Sequence, residues 1–478
     1  MIFNSFEFAL FLPLVFAAYW VLRNHIRWQN LLIVVASYVF YGWWDWRFLI
    51  LIAFTSGWSY VVGLLELRRW DAKPSKALLT ISLAVNLGIL GYFKYYNFFV
   101  NQAVVILNAV GFEPNISSLK IILPVGISFY TFQALSYTID VYRRQIWPTR
   151  DPFAFFAFIS FFPQLVAGPI ERATNLLPQF LVKREFDYPQ AVIGCRQMLW
   201  GFFKKMVIAD NCAVVANQYL NNGNMNNGLA IICGVFLFTF QIYGDFSGYS
   251  DIAIGCSRLF GIKLMRNFAF PYFSRDIAEF WRRWHISLTT WFRDYLYIPL
   301  GGSRCAKWKL IRNTFVIFLV SGFWHGANWT FIFWGAFHAL LFMPLLLGGK
   351  NRKHLDGVAA FRPYPSLGEL GAMLKTFALT MAGWLLFRAA NMLEAVRWAR
   401  SIFDFASYRL MEDFPHEGRV VFPMLGIMIF VEWLNRAEQC GMARQFKRTY
   451  LRWLMYFFIV LLVFLYAPGS QTFIYFQF

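Results

Sequence analysis

Long apolar stretches alternate with short polar connections along the whole chain. The first covers about residues 6–22, and comparable stretches cover residues 31–44, 49–65, 77–93, 121–141, 192–208, 229–255, 370–387, 420–434 and 453–466. A helix of about 20 apolar residues crosses the hydrocarbon core of a bilayer, and about 17 residues are the lower limit. The pattern therefore predicts an all-α polytopic membrane protein with roughly 10–12 membrane elements, some of which do not cross fully.

A histidine stands inside the longest apolar stretch, from about Thr314 to Leu347. As one straight helix this stretch would be about 51 Å long, whereas a bilayer core is about 30 Å thick. It is therefore either strongly tilted or broken, and Gly322 and Gly326 favour a kink or a close helix contact beside His325. An imidazole at membrane depth is costly unless it meets a partner or a wet cavity, so His325 is a candidate functional residue. The alternative is a buried histidine with a purely structural hydrogen bond.

Two shorter apolar segments are not predicted to cross the membrane. One is residues 98–110. The other, residues 154–168, is interrupted by Pro163 and followed by Pro169. Such segments are typical of re-entrant or interfacial elements, which protein must shield from lipid. The Pro-rich part, residues 163–172, is either a cavity wall or a plain turn.

An aromatic stripe indicates a helix at the membrane surface. Apolar residues recur at spacings of three, four and three, namely Trp281, Trp284, Leu288 and Trp291. Because Arg282, Arg283 and His285 fall largely off this stripe, the pattern predicts one amphipathic, interfacial helix with His285 beside a basic surface. Asp276 and Glu279 near its start suit a helix N-terminus.

Asp245 and Asp251 are the most conspicuous acids in an apolar setting. Gln241 precedes the first and Ser247 the second by four residues, so each pair shares a helix face. Carboxylates at that depth need partners. Structural pairing with arginine or backbone donors is favoured over a direct part in chemistry.

Composition supports the membrane class and limits the partners. The chain of 478 residues is 59% hydrophobic and 14% charged, whereas soluble domains carry about 25% charged residues. The basic residues that give the net charge of +19 lie between the apolar stretches. This placement indicates cytoplasmic loops that contact lipid headgroups rather than a nucleic-acid partner. Arg23, His25 and Arg27 directly after the first stretch make that loop cytoplasmic and place the N-terminus outside. The six cysteines form no metal-binding pattern, so no metal is expected.

Four motifs in sequence order resemble the membrane-bound O-acyltransferase family. They are Gly244-Asp-Phe-Ser-Gly-Tyr-Ser-Asp251, Glu279-Phe-Trp-Arg-Arg-Trp-His-Ile-Ser-Leu288, Trp291-Phe-Arg-Asp-Tyr-Leu-Tyr297 and Trp324-His-Gly-Ala-Asn328. The chain looks most like the bacterial branch that O-acetylates alginate and peptidoglycan. The likeness extends from the first apolar stretch to the closing Phe473-Ile-Tyr-Phe-Gln-Phe478, so we expect a single domain over 1–478, with core motifs at about 120–345 and C-terminal helices at about 367–478.

The resemblance implies a helical barrel around a transmembrane tunnel. It also implies that His325 is catalytic and that His285 supports it. Members of the family commonly pass acyl groups to an extracytoplasmic SGNH-like protein, and no such domain is fused here, so that relay partner is expected to be a separate chain. The acceptor implied is an extracytoplasmic polysaccharide, and the location implied is the inner (cytoplasmic) membrane of a bacterial cell.

These observations give an acyl-transfer hypothesis. An acyl-CoA, most simply acetyl-CoA, acts as donor substrate at the cytoplasmic side, where Arg282 and Arg283 neutralise its phosphates; no bound cofactor is expected. His325 acts as general base on the acceptor hydroxyl, and His285 relays a proton or orients the donor. Asn328 steadies His325 or the oxyanion if the helix is unbroken. Trp324, Asp245 and Asp251 complete the supporting set.

Two other functions fit a polytopic chain. A transporter or flippase fits the intramembrane carboxylates, although no inverted repeat is apparent. A non-catalytic scaffold of a polymer export complex predicts that both His285 and His325 tolerate alanine.

Overall fold

A computed structural model describes residues 1–114, 119–221, 227–409, 416–467 and 473. Within these residues the chain forms twenty α-helices, three short π-helical turns and three short 3-10 turns, and no strand. The predicted all-α class is confirmed. The helices pack as two compact units: Met1–Asp187 with Leu259–Leu264, and Tyr188–Arg258 with the chain from Met265 onward.

The first unit contains nine helices within the described residues. They are α1 (Phe6–Val21), α2 (Ile26–Gly42), α3 (Leu49–Arg68), α4 (Lys76–Leu90), α5 (Tyr96–Ala109), α6 (Ile127–Tyr142), α7 (Pro152–Ser160), α8 (Phe162–Leu165) and α9 (Ala173–Leu181). Helix α2 packs on α7, and α3 and α4 pack on α6. The core is pinned by a buried polar cluster, in which Arg184 donates to Asn30 Oδ1 at 2.7 Å and Asn30 Nδ2 donates to the Phe180 carbonyl at 2.8 Å.

Two predictions for the first unit have different outcomes. The segment around residues 154–168 is short and interrupted, as expected: Asp151 caps α7, and α7, α8 and α9 follow one another as brief helices. Residues 98–110, in contrast, are not a separate piece. Helix α5 continues α4 through a π-helical turn at Gly91–Tyr95, which gives one stretch, Lys76–Ala109, of 34 residues.

The second unit contains the remaining eleven described helices. They are α10 (Tyr188–Phe202), α11 (Asp210–Asn221), α12 (Gly228–Leu259), α13 (Ile277–Arg283), α14 (Ile286–Phe292), α15 (Lys307–His325), α16 (Trp329–Leu347), α17 (Leu367–Arg388), α18 (Met392–Phe403), α19 (His416–Leu434) and α20 (Thr449–Tyr466). The 32-residue α12 is buried over most of its length. Helices α15 and α16 form an antiparallel pair, and α17 packs on α16. The closing motif predicted at residues 473–478 lies, except for Phe473, outside the described residues.

Six helical stretches within the described residues are long and apolar enough to cross a membrane. They are Trp46–Arg68, Lys76–Ala109, Gly228–Leu259, Trp329–Leu347, Leu367–Arg388 and Thr449–Tyr466. Several expose large apolar side chains, such as Phe464 and Leu465 of α20, as helices that contact lipid do. The chain is therefore a polytopic membrane protein.

Candidate active site

The long apolar stretch around the first histidine is broken into two helices, which is one of the two alternatives, a strong tilt or a break, that its length left open. Helix α15 ends at His325, and Gly326 follows with an extended φ of −166°. The Asn328 side chain then caps α16 by accepting a hydrogen bond from Thr330 N at 3.1 Å. Because of this break Asn328 does not share a helix with His325, so the condition set for its predicted role, an unbroken helix, is not met. Its amide nitrogen instead donates to the Ala390 carbonyl at 2.8 Å.

Glycines allow the backbones of α15 and α16 to touch. A Cβ atom on Gly322 would overlap the carbonyl oxygen of Phe331, and a Cβ atom on Gly335 would overlap the carbonyl oxygen of Phe318. Only glycine fits such positions, because any other residue would push the two backbones apart. The contact at Gly322, less than one helical turn before His325, fixes the imidazole relative to α16.

The imidazole of His325 is enclosed by aromatic rings from three helices. Only 6% of the residue is exposed. The ring centroid of Trp334 on α16 lies 5.2 Å away, and that of Phe387 on α17 lies 5.3 Å away, both in edge-to-face geometry. Trp324 contacts the same imidazole at 5.0 Å. These ring contacts restrict the orientation of the imidazole.

The second histidine does not lie on an amphipathic surface helix, and that prediction is wrong. Helix α13 is capped by Asp276, which accepts from Glu279 N at 2.7 Å, and it ends at Arg283. His285 then adopts a left-handed conformation (φ 43°) before α14 begins. Trp281 and His285 are both buried inside the protein. The spacing of the tryptophans therefore reflects two short buried helices.

His285 is held by a hydrogen-bonded neighbour and shares Trp324 with the first histidine as a ring contact. Its Nδ1 lies 3.1 Å from Asn267 Oδ1, and only 1% of the residue is exposed. The ring centroid of Trp324 lies 6.1 Å from that of His285 and 5.0 Å from that of His325. The structure therefore brings both predicted histidines next to the same side chain, Trp324. Asn267 carried no motif of its own, and the sequence analysis missed it.

A cavity of about 490 Å³ lies beside this site in the same unit. Its wall is formed by α13, α14, α15 and α16 and by the segment that follows α16. Arg282, Arg293 and Arg352 line it together with apolar side chains such as Phe318. Ser321, four residues before His325 on α15, also lines it. Its volume falls within the range of about 300–1,000 Å³ that is usual for small-molecule sites.

The two arginines predicted to bind a donor have different surroundings. Arg282 lines the cavity, and its guanidinium donates to the carbonyls of Asn351 and His354 at 2.6 and 2.7 Å. Arg283 is not among the residues that line this cavity. It pairs with Glu279 at 2.8 Å and donates to the Ala269 carbonyl. Geometry therefore favours Arg282 over Arg283 as a contact for a ligand in the cavity.

The two buried aspartates are paired, as expected, but with lysines. Lys205 Nζ lies 2.6 Å from Asp245 and 2.8 Å from Asp210, while Lys204 Nζ lies 2.6 Å from Asp251. The lysines belong to the π-helical turn Phe203–Ala209. Because adjacent residues of a helical turn point in different directions, the two lysines reach different carboxylates. These contacts give the aspartates a structural role within the unit.

One further buried histidine was not singled out by sequence. His338 on α16 is fully buried between Trp281 and Trp334, each with its ring centroid 5.1 Å away. Among the described residues neither of its ring nitrogens has a hydrogen-bond partner. The only sequence signal was its place in the long apolar stretch. No group of three or more potential metal ligands occurs in the part of the chain that is described.

Comparison with known proteins places these features in a family. The sequence model of the membrane-bound O-acyltransferase family matches residues 147–350. The chain is 43% identical over 417 residues to the probable alginate O-acetylase AlgI of Pseudomonas putida, which is 86% of this chain and 82% of that relative. It is 34% identical to a peptidoglycan O-acetyltransferase of Helicobacter pylori, covering 83% and 79% of the two chains. A teichoic acid D-alanyltransferase of Streptococcus thermophilus is 31% identical over 61% of this chain and 75% of its own length.

Proposed function

Because the chain belongs to the membrane-bound O-acyltransferase family and is an acyltransferase, we propose that it transfers acetyl groups from cytoplasmic acetyl-CoA across the inner membrane. The final acceptor is a hydroxyl of an extracytoplasmic polysaccharide, reached directly or through a separate SGNH-like relay protein. The names of the relatives, which specify alginate and peptidoglycan O-acetylation, support acetyl as the group and a polysaccharide as the acceptor. The assignment favours acyl transfer over the transporter and scaffold alternatives.

The cavity beside α13–α16 carries the proposal for the donor. Three arginines line it, and the phosphates of coenzyme A are the kind of group that guanidinium binds in charge-assisted pairs. Its apolar wall suits the uncharged pantetheine arm and the acetyl group. Ser321 brings the cavity to within four residues of His325 along α15. This closeness of a basic cavity lining to His325 along α15 is the observation on which the proposal depends.

The proposed reaction forms one C–O bond and breaks one C–S bond. His325 takes the proton of the acceptor hydroxyl as its oxygen attacks the thioester carbonyl, which gives a tetrahedral intermediate. When the intermediate collapses, the thiolate leaves and receives that proton, so that free coenzyme A and an O-acetyl ester are the products. His285, which also neighbours Trp324, assists this step. Asp245 and Asp251 hold the surrounding helices through their lysines.

The proposal also fixes the orientation. The basic loop after α1, which contains Arg23 and Arg27, would be cytoplasmic and the N-terminus would lie outside. Inside-out membrane vesicles expose the cytoplasmic face, whereas right-side-out vesicles seal it. Acetyl-CoA labelled in its acetyl group should therefore yield base-labile label in the polysaccharide only with inside-out vesicles, prepared from cells that make both this protein and the polysaccharide.

Replacing His325 by alanine tests the central step. We expect the rate of label transfer to fall by a factor of about 10²–10⁴, the usual contribution of a general base. The matched control is His25→Ala, because His25 is exposed in the loop after α1 and should have no effect. A folded His325→Ala protein that keeps the rate of the control would refute the proposal. Solute movement in liposomes without consumption of acetyl-CoA would instead support a transporter.

A further inference from the structure

Asn267 holds the turn that carries His285 through both its backbone and its side chain. The residue is fully buried. Its carbonyl oxygen accepts a hydrogen bond from Ile286 N at 2.8 Å. Its side-chain Oδ1 accepts one from Ser287 Oγ at 2.9 Å and lies 3.1 Å from His285 Nδ1. One residue thus contacts three consecutive positions of the turn.

The neighbouring groups fix which end of the amide faces the imidazole. Ser287 N lies 3.4 Å from the same side-chain atom of Asn267. A backbone N–H can only donate, so that atom is the oxygen. The other end, Nδ2, donates to Ser250 Oγ at 3.0 Å. Since Asn267 Oδ1 can only accept, the hydrogen between Asn267 Oδ1 and His285 Nδ1 belongs to His285 Nδ1.

A neutral imidazole with its hydrogen on Nδ1 carries a lone pair on Nε2. Among the described residues, His285 Nε2 is buried and has no hydrogen-bond partner. Buried polar atoms are rarely left in this state unless a ligand or another group uses them. We infer that Asn267 is a positioning residue that holds His285 in its Nδ1–H tautomer. Nε2 is thereby presented as a hydrogen-bond acceptor to the hydroxyl group that receives the acetyl group.

The backbone at this turn supports a functional reason for the histidine. With φ 43° and ψ 54°, His285 is in the left-handed region, which glycine adopts more readily. Strained positions that keep a bulky side chain are concentrated at functional sites. The hydrogen bonds that Ile286 and Ser287 donate to Asn267 stabilise this conformation. They also turn the imidazole toward Trp324, 6.1 Å away, and therefore toward the neighbourhood of His325.

This inference rests on the proposed function and narrows the role of the second histidine. In the Nδ1–H tautomer the neutral ring cannot donate from Nε2, so it does not stabilise the thioester oxygen in that state. It accepts a hydrogen bond instead. In the proposed step it would orient the acceptor hydroxyl, while His325 removes the proton.

The tautomer can be measured on the unaltered protein. Solid-state nitrogen-15 NMR of protein labelled at histidine, in lipid nanodiscs, distinguishes protonated from bare ring nitrogens. The signals that disappear in a His285→Gln variant belong to His285. We expect Nδ1 to be protonated and Nε2 to be bare. A protonated Nε2 with a bare Nδ1 would overturn the inference whatever the activity shows.

Substitutions test whether this support matters to the reaction. Asn267→Leu keeps the size of the side chain and removes the acceptor, so kcat should fall by about 10–100-fold, with the KM for acetyl-CoA little changed. Asn267→Asp keeps an acceptor oxygen and should recover most of that loss. Ser250→Ala, the control, removes only the partner of Nδ2 and should leave kcat within about threefold.

The outcomes separate the two proposals. If His325→Ala is inactive while folded Asn267→Leu is fully active, the positioning role is wrong and the proposed function stands. If Asn267→Asp and Asn267→Leu lose activity equally and the two variants have equal thermal midpoints, Asn267 has only a structural role and the positioning role is wrong. If folded His325→Ala is active, the proposed function fails, whereas the tautomer found by NMR remains a property of the turn.

Discussion

Replacing Lys205 by methionine should strongly destabilise the second unit, because two buried carboxylates lose their shared cation. Lys205 Nζ is 2.6 Å from Asp245 and 2.8 Å from Asp210, and none of the three side chains is more than 9% exposed. At an effective dielectric constant of about 20, each such pair contributes about 6 kcal/mol of attraction, much of which offsets the cost of desolvation. Breaking buried pairs costs about 3–5 kcal/mol in practice. The thermal midpoint in detergent should fall by on the order of 10 °C.

A surface pair of the same length provides the control. Arg47 lies 2.6 Å from Asp45, but 60% of its side chain is exposed. Water and salt screen such a pair, so Arg47→Met should leave the midpoint unchanged. The double variant Lys205→Met with Asp245→Asn should recover part of the loss, since one of the two carboxylates that lost this cation is then neutral. The reasoning fails if Lys205→Met unfolds at the same temperature as the control.

Two further substitutions test the helix contact and the cavity. Gly335→Ala should lower both the thermal midpoint and the acetyl-transfer rate, since its methyl group would overlap the Phe318 carbonyl and overpacking costs about 1–3 kcal/mol. The control is Gly371→Ala, on a helix with open space around that position. Equal midpoints for the two variants would contradict the expectation. Arg282→Ala should raise the KM for acetyl-CoA by about tenfold, whereas Arg283→Ala should chiefly lower stability through the loss of its buried pair; a KM unchanged by Arg282→Ala would exclude this side chain from donor binding.

Local sequence rules sufficed for features that depend on length and on glycine. The stretch from Thr314 to Leu347 is too long for one crossing, and the chain breaks after His325, beside the predicted Gly326. The need of buried carboxylates for partners likewise predicted the pairing of Asp245. Its partner, Lys205, was not predictable, because no periodicity specifies which earlier helix lies alongside.

The turn at His285 shows where such rules fail. Tryptophans spaced by three, four and three fit a continuous helix, and no glycine or proline marks an interruption. The helix is broken where His285 and Ile286 donate hydrogen bonds to Asn267, which lies 18 residues before His285 in the chain. Tertiary contacts here override a local preference. For the same reason the arginines next to each other at 282 and 283 could not be told apart by sequence, although only the first lines the cavity.

The backbone contact between α15 and α16 has a consequence for motion during turnover. Helices that touch through Gly322 and Gly335 have no flexible side chains between them to absorb sliding. They should therefore move as one rigid body, carrying His325 with them. If the cavity binds coenzyme A as proposed, we expect the adjustment that admits or releases it in the opposite wall, where two hydrogen bonds join Arg282 to the segment from Asn351 to His354.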